Sequence, residues 1–92
     1  MIKSFAHKGL EEFFEKGTTR GIQAKHSNKL RLILALLENA HEVKDINFPG
    51  ANLHDLKGDM RGLWSVKVNG NWRITFKFEN GDAYIINYLD YH

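Results

Sequence analysis

The first half of the chain has hydrophobic side chains at helical spacing. Leu10, Phe13 and Phe14 lie at i, i+3 and i+4, which places them on one face of an α-helix. Gly17 follows, and glycine readily ends a helix in the left-handed conformation. This pattern predicts a short helix from about His7 to Lys16.

A second apolar stripe predicts a second helix. Ser27 is a favourable N-cap residue, and the helix should end near Ala40 or His41. The stripe of the second helix consists of Leu30, Ile33, Leu34 and Leu37.

A short first strand is predicted before the first helix. Ile2 to Phe5 alternates weakly between apolar and polar residues, as a strand does.

No period is visible between Glu42 and Gly62. Pro49, the only proline, lies in this stretch together with three glycines, which predicts a long irregular segment. Segments of this length in a compact domain tend to have a function.

The pattern then changes to the period of two that is typical of strands. Asn80-Gly81 is a strong two-residue hairpin signal, and such a turn pairs Phe76 with Ile85 and Arg73 with Tyr88. The three predicted strands are Trp64 to Val68, Trp72 to Phe78 and Asp82 to Leu89.

The register of the first hairpin follows from the requirement for one continuous apolar face. A three-residue loop at Asn69 to Asn71 places Val66 opposite Ile74 and Trp64 opposite Phe76, which satisfies that requirement. We therefore expect an α+β fold in a single domain over residues 1–92. A short N-terminal strand and two helices precede an antiparallel three-strand meander, and both helices pack on one face of the sheet.

The side of the sheet away from the helices, here called the polar face, is predicted to be open, basic and aromatic. Lys67 falls directly opposite Arg73, and such like charges are destabilising unless an anion lies between them. Alternation assigns to this face Ser65, Lys67, Arg73, Thr75, Lys77, Tyr84 and Tyr88, followed by Asp90 and His92.

Composition limits the function classes. With 92 residues, 42% of them hydrophobic and none of them cysteine, the chain has neither disulfides nor thiolate metal sites. A net charge of +2 does not by itself indicate nucleic-acid binding. The longest apolar run, Leu32 to Leu37, is too short for a membrane helix, and Met1 to Phe5 lacks a signal core, so we expect a cytoplasmic protein without membrane contact.

The polar face has residues suited to cleaving RNA. Attack of a ribose 2′-hydroxyl on the adjacent phosphate needs a base, an acid and cations that stabilise the crowded phosphorane. His54 and His92 suit the proton transfers, with His92 favoured as the base, and Lys57 and Arg73 suit the charge role. Residues expected to bind RNA are Lys67, Lys77, Tyr84 and Tyr88, and Tyr91 is a further candidate for stacking on a base.

Structural explanations compete for several of these residues. His7, His26 and His41 are expected to be solvated surface residues, and Trp64 and Trp72 to pack in the core. His92 ends the sequence, where fraying is common. His54 and His92 have no recognised metal-ligand spacing with Asp55 or Asp90, so we expect neither a metal nor a cofactor.

Beyond pattern, the residues from Leu53 onward resemble the HigB toxins of the RelE/ParE superfamily of toxin-antitoxin systems. The combination of Asn-Trp-Arg-Ile at residues 71–74 with the closing Asp-Tyr-His is quite specific, and the similarity covers essentially the whole chain. The matching segments are residues 53–59, 61–66, 71–74, 80–84 and 90–92, with support from residues 1–5.

The resemblance implies a RelE-like fold and a ribosome-dependent endoribonuclease that cuts mRNA in the A site without a metal ion. It implies neutralisation by a HigA-like helix-turn-helix antitoxin, through which alone the protein would reach operator DNA. The family commonly has proline in place of Asp55, which here adds a negative charge beside His54. Positions that carry over as catalytic are His54, Lys57, Arg73, Asp90, Tyr91 and His92.

Two other functions stay open on the same fold. ParE-like relatives are implied to poison DNA gyrase, and fold alone does not separate the two activities. A non-catalytic RNA- or protein-binding module would also have a basic face, but it would not need two histidines beside it.

Overall fold

A computed structural model describes residues 1–90 and confirms the α+β class. Four antiparallel strands form one sheet in the order β1-β2-β3-β4, and short 3₁₀ turns lie at Ala24–His26, Val43–Ile46 and Gly58–Met60. The helices are α1 (Lys8–Lys16) and α2 (Ser27–Asn39), and the strands are β1 (His54–Asp55), β2 (Trp64–Asn69), β3 (Trp72–Glu79) and β4 (Asp82–Asp90).

Helix α1 has the predicted bounds because both of its ends are capped. The His7 side chain accepts a hydrogen bond from the backbone N–H of Leu10 at its N-terminus. Gly17 adopts a φ of 76° at the C-terminus and donates its N–H to the carbonyl of Phe13. Leu10 and Phe13 are buried, whereas Phe14 stays partly exposed.

Helix α2 buries the predicted stripe and ends at Asn39, as expected. The prediction that Ser27 caps this helix is wrong. The 3₁₀ turn Ala24–His26 leads directly into α2, so Ser27 already has helical dihedral angles and cannot act as the cap.

Both helices pack on one face of the sheet, as predicted. Their buried residues and the inward side chains of β2, β3 and β4 form a single core cluster, which leaves the polar face on the other side. The sheet's share of this core includes Val66, Val68, Ile74, Phe76, Ala83, Ile86 and Tyr88.

The register of the first hairpin is confirmed. Val66 pairs with Ile74, and Lys67 pairs with Arg73, so the two like charges do lie directly opposite each other. A bulge between Lys67 and Asn69 brings Asn69 opposite Trp72, which makes the turn shorter than the three residues expected.

The register of the second hairpin is wrong beyond its first pairs. A bulge places Ile85 outside the ladder with a φ of 46° and a 45% exposed side chain, while Ile86 is fully buried. Every pairing after the bulge shifts by one residue, so Arg73 lies opposite Leu89 instead of Tyr88.

The two sheet edges also differ from the prediction. The expected first strand is present only as two isolated parallel bridges to β4, Ile2 with Ala83 and Phe5 with Ile86, because the bulge interrupts the ladder between them. On the other edge, the segment predicted to be irregular contains β1, which pairs with β2.

The backbones of Gly9 and Gly21 are in close contact, so a methyl group added at Gly9 should lower the stability of the protein. A Cβ atom at Gly9 in α1 would lie 2.4 Å from the carbonyl oxygen of Gly21. Although alanine normally stabilises a helix relative to glycine by about 1 kcal/mol, Gly9→Ala should lower the free energy of unfolding by about 1–3 kcal/mol because the loop must move away. Urea unfolding measures this, with Glu15→Ala on the exposed side of α1 as control. Stabilisation by Gly9→Ala would contradict the contact.

Strain at Ile85 predicts the opposite sign. A β-branched residue in the left-handed region costs roughly 1–2 kcal/mol, and asparagine tolerates that region much better. Ile85→Asn should therefore raise the melting temperature, because the Ile85 side chain is 45% exposed and loses little packing. Leu32→Asn is the matched control, since Leu32 is 44% exposed on α2 and its backbone is helical. Equal destabilisation of both variants would show that the bulge stores no strain.

Candidate active site

Two of the candidate catalytic residues, His54 and Arg73, lie in adjacent rows of the polar face. Residues that pair directly across strands share one face of a sheet, so the register defines each row. The first row contains His54, Ser65, Thr75 and Asn87, the second contains Lys67, Arg73 and Leu89, and Lys77 pairs with Tyr84 further along β3.

His54 and Arg73 lie two strands and one row apart. Standard sheet spacings put their Cα atoms roughly 12 Å apart, a span that one nucleotide and two long side chains can fill. The polar face is not open between them, contrary to prediction, because Ser65 is 2% and Thr75 1% exposed. The chemistry available to a ligand is therefore that of the longer side chains of His54, Lys67 and Arg73.

His54 is held in one orientation by the backbone of Asn52. Its Nδ1 lies 2.8 Å from the carbonyl oxygen of Asn52, and since a carbonyl can only accept, Nδ1 must carry the proton. In neutral His54 the exposed Nε2 is consequently the proton acceptor. Asn52 has a φ of 50°, a conformation that asparagine tolerates, and this residue type was the only sequence signal for a contact that our sequence analysis missed.

Lys57 is paired with Asp55 at 3.3 Å on the protein surface. The hydrogen bond and the charge of Lys57 hold the pKa of the Asp55 carboxyl below its usual range. Asp55 pairs with Trp64 across the sheet, on the opposite side of β1 from His54. Asp55 therefore acts on Lys57 more directly than on His54, and a phosphate would compete with Asp55 for this cation.

Arg73 is fixed at the turn between β2 and β3. Its Nη1 donates to the carbonyl oxygens of Gly70 at 2.9 Å and Trp72 at 3.1 Å. These bonds use one nitrogen of a guanidinium group that has five N–H donors. The side chain is half-buried, so its anchoring is stronger than expected for an exposed strand arginine.

The bulge at Ile85 overturns the predicted placement of Tyr88 and Asp90. Tyr88 lies opposite Ile74 on the helix side and is 4% exposed, so no ring face is available to a base there. Asp90 pairs with Trp72 and follows the same alternation. Tyr91 and His92 lie outside the described residues, and the alternation used to place His92 assumed a strand without a bulge. Tyr84 keeps its predicted position opposite Lys77 and is partly exposed.

The expectation that His26 is solvated is wrong. His26 is 2% exposed, and its Nδ1 lies 2.6 Å from the hydroxyl oxygen of Tyr88. Burial lowers the pKa of His26, with a smaller contribution from the charge of Lys25. Burial also lowers the pKa of His7, which is half-buried, whereas His41 is exposed as predicted.

Packing of the two tryptophans agrees with the core prediction. Trp64 and Trp72 are partly buried against the core cluster, and the Trp72 ring stacks on Tyr88 at 4.5 Å. Within residues 1–90, no three histidine, aspartate or glutamate side chains lie close enough together to hold a metal ion.

The meander with two helices on one face, and the basic residues on the other, are the features of a RelE-like toxin. The model of the family described as "RelE-like toxin of type II toxin-antitoxin system HigB" matches residues 3–92. Endoribonuclease HigB of Proteus vulgaris is 52% identical over 92 residues, which cover all of both chains. Toxin HigB-1 of Vibrio cholerae serotype O1 is 33% identical over 94 residues, which cover all of this chain and 98% of the relative. This chain belongs to the HigB-like toxin family of type II toxin-antitoxin systems.

Proposed function

We propose that this toxin is an endoribonuclease that cuts mRNA in the ribosomal A site through attack of a ribose 2′-hydroxyl on the adjacent phosphate. The main support is the placement of a backbone-oriented His54 and an anchored Arg73 on one face of the sheet. Full-length similarity to a protein named Endoribonuclease HigB supports the same reaction class.

In this mechanism His54 accepts the proton of the 2′-hydroxyl at Nε2. Our sequence analysis favoured His92 as the base, but the bond from His54 Nδ1 to Asn52 supports His54 in that role. Arg73, Lys57 and Lys67 stabilise the negative charge that develops on the phosphorane.

The closing residues supply the second proton transfer. With His54 as the base, we propose that His92 protonates the 5′-oxygen as it leaves, and that Asp90 and Tyr91, which the resemblance also carries over as catalytic, support this step. The P–O bond to that oxygen breaks, and the products are a 2′,3′-cyclic phosphate and a 5′-hydroxyl end. Lys77 and Tyr84 contact the flanking nucleotides from the pair next to the first row.

The ribosome is part of this proposal because the isolated protein has weak electrostatic attraction for RNA. A net charge of +2 and roughly three to five phosphate contacts on the polar face give low affinity for free RNA at physiological salt. The ribosome would hold the message in a strained conformation that the toxin alone cannot impose.

A toxin of this class has an antitoxin partner. We propose that the antitoxin is a HigA-like helix-turn-helix protein, that contact with operator DNA passes through it, and that the toxin acts in the cytoplasm. No helix within residues 1–90 is long and apolar enough to cross a membrane.

Macromolecular labelling after induction tests the proposed function against poisoning of DNA gyrase. Incorporation of labelled methionine should collapse before incorporation of labelled thymidine, without induction of the SOS response. SOS induction with protein synthesis still running would contradict the proposal and indicate a gyrase poison instead.

A further inference from the structure

Four rings pack together under the end of the sheet where Arg73 lies. Trp72 stacks on Tyr88, and His26 stands edge-on to both, with ring centroids 5.7 Å and 6.0 Å away. His7 meets Tyr88 edge-on at 5.4 Å. This ring cluster (His7, His26, Trp72 and Tyr88) joins the start of α1 and the 3₁₀ turn before α2 to strands β3 and β4, and no step of the mechanism uses it.

The hydroxyl group of Tyr88 has two hydrogen-bond partners, the backbone of Gln23 and the side chain of His26. Its hydroxyl oxygen accepts the backbone N–H of Gln23 at 3.4 Å, so the hydroxyl proton is available for His26 at 2.6 Å. The neutral tautomer of His26 with its proton on Nε2 leaves Nδ1 able to accept this hydroxyl proton. A protonated His26 would place a second donor against the hydroxyl and a buried charge beside Lys25.

The ring cluster is linked to the candidate active site through backbone contacts. The carbonyl of Trp72 accepts a hydrogen bond from Arg73, and Trp72 is the cross-strand partner of Asp90. Tyr88 directly precedes Leu89, which lies opposite Arg73. Movement of either large ring would therefore displace Arg73 and the end of β4 together.

We propose that Tyr88 and His26 are positioning residues for RNA cleavage: their buried hydrogen bond fixes the ends of β3 and β4, from which Arg73 and Asp90 extend. This inference rests on the proposed function. Misplacement of catalytic groups by about 1 Å can cost about 10²-fold in rate without contact between the mutated residue and the substrate.

Tyr88→Phe tests this role because it retains the ring and removes only the hydroxyl. Single-turnover cleavage of ribosome-bound mRNA should slow about 10- to 100-fold at saturating ribosome complex, with little change in the concentration needed for half saturation. Ile33→Val is the matched control: it should cost similar stability in the core of α2, away from the ring cluster, and cleave at the wild-type rate.

Hydrogen exchange supplies a readout that needs no activity. Tyr88→Phe should speed exchange of the backbone amides of residues 72–74 and 87–90, and Ile33→Val should not. A wild-type protein that fails to cleave would overturn the proposed function, whereas an active wild type with unchanged exchange and cleavage in Tyr88→Phe would overturn only the positioning role.

A double-mutant cycle tests whether the two residues act as one unit. His26→Leu should slow cleavage as much as Tyr88→Phe, and the double variant should be no slower than either single variant. If the rate losses of the two single variants instead multiply in the double variant, the two residues act independently and the shared hydrogen bond is contradicted.

The stability of the protein should depend on pH through His26. Because burial lowers the pKa of folded His26, the free energy of unfolding should fall as the pH drops below about 6.5. His7 adds to this loss, so the pH comparison is made between His26→Leu and the wild type.

Discussion

Replacing Arg73 with alanine should abolish toxicity while the protein remains folded. The guanidinium lies at the turn end of β3, where we propose that it meets the charge developing on the attacked phosphate, and removing one such contact typically costs about 10² to 10³ in rate. The two backbone bonds of Arg73 go to carbonyls at the rim of the hairpin turn, which water can reach in the variant, so the loss of stability should be small.

Cleavage of ribosome-bound mRNA measures the effect, alongside thermal unfolding. Arg31→Ala is the matched control, because Arg31 lies on α2 and bonds Asn28 instead of facing the polar side of the sheet. Arg73→Lys should recover only part of the rate, since an ammonium group cannot reproduce the fork geometry of a guanidinium. A drop of more than ten degrees in melting temperature would mean that Arg73 has a mainly structural role.

His54→Gln should reduce the cleavage rate about 10²- to 10⁴-fold, the usual range for loss of a general base. Glutamine approximates the size of histidine but cannot accept and release a proton at neutral pH. Because the His54 side chain is exposed and its hydrogen bond goes to the carbonyl of the nearby Asn52, the free energy of unfolding should be almost unaffected.

The control for this variant is His41→Gln, an exposed histidine that lies in none of the rows of the polar face. Single-turnover cleavage and end-group analysis of the RNA product distinguish the two variants. Full activity of His54→Gln would move the base role to His92, as our sequence analysis favoured, and leave His54 as a phosphate-binding residue.

Local periodicity was sufficient to predict both helices and the first hairpin. Each apolar stripe predicted one buried helix face, and the demand for a continuous apolar face predicted the pairing of Lys67 with Arg73. These features depend on residues close together in sequence, so a pattern over ten to fifteen residues is enough.

Features that depend on distant contacts could not be predicted in this way. The bulge at Ile85 forms where the N-terminal segment bonds the outer edge of β4, and Ser4 accepts the Ile85 N–H. The doublet Ile85-Ile86 broke the alternation and was the only local sign of it. The burial of His26 likewise depends on Tyr88, 62 positions further along the chain.

The catalytic residues were predicted from the family motif alone, and that prediction needed neither the bulge nor the burial of His26. Strict alternation along β4 predicted the wrong face of the sheet for Tyr88. The family motif did not include Tyr88 among the catalytic residues. Backbone contacts do not appear in a sequence motif, so the Asn52 carbonyl that orients His54 became visible only in the structure.

Primer extension on one defined mRNA tests the central claim most directly. Purified wild-type toxin is added to the free message and to the message on programmed ribosomes. In a third reaction, Arg73→Ala is added to the message on programmed ribosomes. We expect discrete cuts at the A-site codon only with ribosomes and wild-type toxin. Efficient cutting of the free message, or no cutting on the ribosome by a folded wild-type protein, would contradict the claim.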